Sequence, residues 1–156
     1  MFAQFEQVRP GRTERLWKAA QPRFRSAVAG PVFEHMCRTW THDMAAEETL
    51  GGLAVRVLSG VVHEPSSRTS HEVDLVSTDE DGNFLAIGEA KWGDTLGMAH
   101  LERMEKVASI LRTRGEEPKA IMLFSATGFM PALEEAAEKS GGRVQLVGLE
   151  RLYTGE

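Results

Sequence analysis

A single cysteine, Cys37, excludes an intramolecular disulfide framework and any cysteine-rich zinc site, and suits a reducing compartment. No apolar run approaches the roughly 20 residues that a helix needs to cross a bilayer, so no membrane span is expected. Met1 to Glu6 has neither the basic nor the apolar region of a signal peptide, and the expected location is the cytoplasm. No Gly-x-x-x-x-Gly-Lys-Ser/Thr loop is present to cradle nucleotide phosphates. Repeats and low-complexity tracts are absent too. What remains is ordinary for one soluble domain with a real core: 156 residues, 42% hydrophobic and 26% charged.

The net charge of -5 argues mildly against nucleic acid as a partner, but the charge is uneven. Within residues 1–31, Arg9, Arg12, Arg15, Lys18, Arg23 and Arg25 face only Glu6 and Glu14, so the negative balance belongs to the rest. Whole-chain charge says little about a local phosphate-binding surface, and a metal site is itself built from acids. Residues 1–23 read as a basic linker or arm, in which Leu16, Trp17 and Ala20 are able to form a short docking helix. Residues 24–156 read as the folded domain.

The most telling pattern is a pair of strand-like segments, His71 to Val76 and Ile87 to Trp92, that carry charge where a buried strand should be apolar. Ser77 to Asn83 between them has turn composition, with Gly82 as its permissive residue, so the two form a hairpin. Alternation puts Glu89 and Lys91 on one face, about 6–7 Å apart, and Ala90 with Trp92 on the other. The same rule groups Asp74 with Glu72 and Val76, leaving Val73 and Leu75 for a core. Two acids and a lysine then meet on a rigid sheet. That set suits a divalent metal beside an amine.

The surrounding elements follow from periodicity. Gly30-Pro31 opens a helix with Phe33, Cys37, Trp40 and Met44 as its buried stripe, widened by Val32 and Met36 and stopped at Gly51-Gly52. Leu53 to Val62 reads as a strand. Gly97 to Arg114 is a helix buried through Leu101, Met104, Ala108 and Leu111 and ended by Gly115. Lys119 to Thr127 is a strand buried on both faces. A helix over Pro131 to Lys139 and a strand over Val144 to Leu152 complete an α/β chain with a mixed sheet.

This order, with acids on the second and third strands, resembles the PD-(D/E)XK nuclease superfamily. Asp74 and then Glu89-Ala90-Lys91 stand at its split motif, and Glu34 in Gly30-Pro31-Val32-Phe33-Glu34 at the acid of the first helix. Glu72-Val73-Asp74-Leu75-Val76 with Gly88-Glu89-Ala90-Lys91-Trp92 looks closest to the DUF234 domain at the carboxyl end of archaeal-type AAA/STAND ATPases. The resemblance covers residues 24–152 and implies a restriction-endonuclease-like core, a mixed central sheet flanked by helices. It implies metal-dependent hydrolysis of a nucleic-acid phosphodiester, of DNA with RNA left open. Further expectations are an ATPase domain in the same or a partner chain, and a homo-oligomer.

By that resemblance Asp74, Glu89 and the Ala90 carbonyl would hold Mg2+ or Mn2+. Lys91 would orient the attacking water or neutralise phosphoryl charge, and Glu34 would join the metal shell or orient Lys91. Bland readings stand beside these. Asp74 and Glu89 would be solvent-facing on an edge hairpin, Lys91 a partner of Glu89 or Glu72, and Glu34 a surface acid pairing Arg38. His63 and His71 match no compact metal-binding spacing, and Trp40 and Trp92 read as core or interface. The competing functions are a non-catalytic nucleic-acid-binding or regulatory domain, and an interaction module docking through Trp17, Phe24 or Trp40.

Overall fold

The computed structural model describes residues 12–155, so the arm before Arg12 lies outside the described residues. Helix α1 (Arg12–Phe24), a π-helical turn (Arg25–Ala29) and α2 (Gly30–Asp43) run on without a break. A short α3 (Glu47–Leu50) leads to β1 (Arg56–Glu64), β2 (Thr69–Thr78) and β3 (Phe84–Lys91). Then come α4 (Met98–Arg112), β4 (Ala120–Ser125), α5 (Pro131–Lys139), β5 (Val144–Gly148) and α6 (Leu149–Thr154). The strands lie in sequence order in one sheet; β1, β2 and β3 pair antiparallel, and β4 and β5 add in parallel. It is the mixed sheet flanked by helices that the residue pattern predicts.

Two apolar layers hold it together. Leu101, Met104, Val107, Ala108 and Leu111 of α4 pack with Leu133 of α5 on Val73, Ile87, Ile121 and Leu123. Phe33, Cys37 and Trp40 of α2 pack on Leu75, Leu85, Met122 and Phe124 across the opposite face. Alternate residues of β4 feed the two layers, and all six are buried, as expected for a central parallel strand. The hairpin turn is closed by Asp79, whose Oδ1 accepts the amides of Asp81 at 3.0 Å and Asn83 at 2.9 Å while Gly82 adopts φ +82°.

Four expectations need correction. The helix from Gly30 is not continuous to Gly51: it ends at Asp43, Trp40 O accepts both the Met44 and Ala45 amides, and Ala46 is extended before α3. Its stripe is also narrower, because only Phe33, Cys37, Trp40 and Thr41 face the sheet; Val32, Met36 and Met44 are half-exposed. The last strand stops at Gly148, and Leu152 reaches the core from helix α6. Finally, Val73 and Leu75 do not share a face. A bulge sets Asp74 and Leu75 of β2 against the single residue Ser59 of β1, sending Val73 toward α4 and Leu75 toward α2.

Candidate active site at the splayed ends of two strands

Pairing between β2 and β3 runs only from Thr78↔Phe84 to Leu75↔Gly88. Beyond that point β2 continues with β1 as far as Thr69, and β3 continues with β4 as far as Lys91. The two strands therefore part where β2 presents Asp74 and β3 presents Glu89 to Lys91. Side chains bridge the gap. Asp74 Oδ2 accepts the Ala90 amide at 2.9 Å. The carbonyl of Asp74 accepts Arg38 Nη1 from α2 at 2.9 Å, and that of Glu72 accepts Arg103 Nη2 from α4 at 2.6 Å. One arginine from each helical layer thus satisfies backbone that has left the ladder with β3.

Glu89 is 4% exposed and so is not solvent-facing. Its Oε1 receives Arg103 Nη1 at 2.9 Å and Lys91 Nζ at 3.3 Å. Its Oε2 is buried and has no hydrogen-bond partner among the described residues. Glu89 and Lys91 share a face as alternation requires. Ala90 packs in the layer under α2, and Trp92 meets Phe33 edge-on at 5.7 Å between ring centres. Gly88 supports the arrangement: a Cβ there would stand 2.5 Å from Met122 O, so only glycine lets β3 lie this close to β4.

Glu34 faces the same place from near the start of α2, just past its first turn. Burial, and next the negative charge of Asp74, push its carboxyl above the ordinary value; Arg38 and Lys91 pull the other way, and Glu72 adds to the rise. Arg38 bonds the Asp74 carbonyl rather than serving as a surface partner of Glu34. Beside these groups opens a cleft of about 520 Å³ lined by Lys18, Arg25, Glu34, Ala90, Lys91 and Asp94, among others. Asp74 and Glu89 do not line it; they adjoin it through their contacts with Ala90 and Lys91.

The structure thus gathers Glu34, Asp74, Glu89, Ala90 and Lys91 around one cleft. His71 and His63 stand apart on the β1–β2 hairpin, where His71 Nε2 lies 3.1 Å from Glu64 Oε2 and His63 Nδ1 lies 2.7 Å from Ser70 Oγ. The His71 hydrogen bond and then Lys106 hold the Glu64 carboxyl down at about 2. Burial raises the Cys37 thiol, so it stays protonated. Sequence reasoning missed Arg103 and the tertiary role of Arg38. Nothing in the local pattern of α4 marks Arg103, which simply flanks the buried stripe.

Among the described residues no three His, Cys, Asp or Glu side chains converge closely enough to hold a metal ion. A hard divalent cation with few protein ligands still fits. Mg2+ is commonly held by one or two carboxylates, with water and substrate phosphate completing its shell. The unpartnered, buried Oε2 of Glu89, with Asp74 on the facing strand, offers oxygen of the required kind.

No protein-family model and no curated protein matches the chain. Among solved structures it is similar to AF1548, a protein of unknown function, with a TM-score of 0.51 and 16% identity over 74% of this chain and 55% of that one. EndoMS in complex with double-stranded DNA gives a TM-score of 0.45 and 16% identity over 74% and 44%. A repair endonuclease from Pyrococcus abyssi gives 0.41 and 18% over 59% and 38%. The matched region spans between 38% and 55% of those chains. The likeness to AF1548 is one of fold; the other two superpose too loosely to carry an argument.

Proposed function

We propose that this chain is a divalent-metal-dependent nuclease domain that hydrolyses phosphodiester bonds of DNA. The observation that carries the reading is the parting of β2 and β3 at Asp74 and Glu89-Ala90-Lys91, beside a buried Glu89 oxygen that has no partner among the described residues. Asp74, Glu89 and the Ala90 carbonyl would hold Mg2+ or Mn2+. When bound, the cation would polarise the phosphate and lower the pKa of an attacking water. Lys91, steadied by Glu89 at 3.3 Å, stands at the cleft to orient that water or offset charge on the phosphoryl oxygens. Glu34 would complete the metal shell or fix the position of Lys91. The resemblance to DUF234 supports placement beside an ATPase domain. The half-exposed Trp17 and Phe24 on α1 offer that domain, or a second copy, a surface.

Calorimetric titration of Mn2+ tests the centre. Wild-type protein is expected to bind, and Asp74→Ala and Glu89→Ala, each folded by circular dichroism, to show no heat. With a panel of DNA structures, Asp74→Ala is expected to abolish cleavage. Lys91→Met is expected to bind Mn2+ normally yet cut about 100-fold more slowly or worse. Cleavage unchanged in Asp74→Ala would sink the assignment.

One observation favours a second reading, a nucleic-acid-binding domain without catalysis. Two cations already occupy Glu89 Oε1, and among the described residues no third acid joins Asp74 and Glu89 closely enough for a metal. In that case DNA binding persists without divalent metal and survives Glu89→Ala.

A further inference from the structure

The helix that carries Glu34 is out of phase with the helix before it, and the mismatch has a use. In an unbroken α-helix, at 100° per residue, positions 18 and 34 would point about 160° apart. The π-helical turn Arg25–Ala29, closed by the Gly30 amide on Arg25 O, accommodates one extra residue and cuts that angle to about 60°. Pro22 precedes the turn inside α1, and Ser26 Oγ donates back to Pro22 O at 3.0 Å. Lys18 is thereby turned toward Glu34, and Lys18 and Gln21 of α1 line the same cleft as Glu34 together with Arg25, the first residue of the turn.

Arg25 is the residue this phase change uses most. It is exposed at the cleft, and its side chain crosses to Gly93: a Cβ on that glycine would lie 3.7 Å from Arg25 Cδ and 3.9 Å from Nη1. The guanidinium so stands over the backbone two residues beyond Lys91. Among the described residues Arg25 has no ion pair, although Asp94 also lines the cleft. Lys18, by contrast, is held by Glu14 at 3.0 Å. A planar guanidinium with unused donors beside a lysine suits bidentate contact with a phosphate oxygen pair.

We propose that Arg25, swung into the cleft by the π-helical turn, binds a backbone phosphate of DNA next to the phosphate that faces Lys91. This rests on the nuclease reading for its substrate, but its test does not require catalysis. Fluorescence anisotropy with a short labelled duplex in EDTA, across a salt series, compares the wild type with three variants. Arg25→Ala is expected to weaken binding about tenfold and to reduce the slope of log affinity against log salt by about 1. Arg25→Lys should restore the slope and only part of the affinity. Arg23→Ala removes an exposed charge two residues earlier, in the last turn of α1 and outside the lining of the cleft, and should bind like wild type.

Loss in Arg25→Ala from a protein that cuts nothing would uphold the inference and count against the nuclease reading. Wild-type affinity and slope in Arg25→Ala would overturn the inference, even where Asp74-dependent cleavage upholds that reading. Equal losses in Arg25→Ala and Arg23→Ala, or no duplex binding by the wild type, would also overturn it.

Discussion

Glu89 has two donors on one carboxylate oxygen and, among the described residues, none on the other. A buried polar atom left unpaired costs about 1–3 kcal/mol. Lys91 and Arg103, at 37% and 38% side-chain exposure, stay hydrated if the acid is neutralised. Glu89→Met, which removes both oxygens at similar side-chain length, is therefore expected to raise the urea midpoint, by about 1 kcal/mol in stability, while metal binding disappears. Arg103→Ala should do the reverse, costing about 2 kcal/mol, because it leaves a buried anion with Lys91 alone. Shifts of the same sign in both variants would count against this account. Glu34 gives a pH signature. A folded-state pKa raised by burial and by Asp74 means that its contribution is intact below the ordinary 4.5 and is lost as pH rises through the raised value. Glu34→Gln should melt higher than wild type at neutral pH, with the gap closing below pH 4.5. Mn2+ should narrow it too, since a cation beside Asp74 favours the charged carboxylate. Melting curves over pH, with and without Mn2+, check both.

At the scale of elements, the site depends on how closely β3 lies on β4 and where it leaves β2. Gly88→Ala would press a methyl group to 2.5 Å from Met122 O, a backbone atom that cannot rotate away, and is expected to cost about 3 kcal/mol. Gly52→Ala is the useful contrast. Its methyl would meet the end of the Leu85 side chain at 2.9 Å, which can shift, so about 1 kcal/mol is expected. Guanidinium unfolding of both variants separates backbone from side-chain crowding. The hairpin, α4 and β4 were legible because their signals are local: turn composition at Asp79 to Asn83, a stripe at Leu101, Met104, Ala108 and Leu111, and one unbroken apolar run. The faces of Val73 and Leu75 were not, because the bulge that separates them belongs to the pairing with β1 and not to β2 alone.

For the whole molecule, binding of a cation only to the folded state should stabilise the entire fold by mass action. Mn2+ at a hundred times its dissociation constant is expected to add about 2.7 kcal/mol, seen as a higher melting temperature, and nothing in Asp74→Ala. A rise that persists in that variant would place the ion elsewhere. By itself the sequence determined the order of the elements, the charged hairpin and the burial of β4 on both faces, and alternation brought out Asp74, Glu89 and Lys91; Glu34 and the Ala90 carbonyl joined that set only through the family resemblance. Periodicity and turn chemistry are properties of a single segment, so they survive without the fold. The tertiary structure alone decided where β2 and β3 part, which oxygen of Glu89 stays unpartnered, and that Arg38 and Arg103 satisfy the freed carbonyls. It also decided that one extra helical residue turns Arg25 toward the cleft. Each of these is a relation between segments distant in the chain, fixed by register and packing that no local pattern encodes.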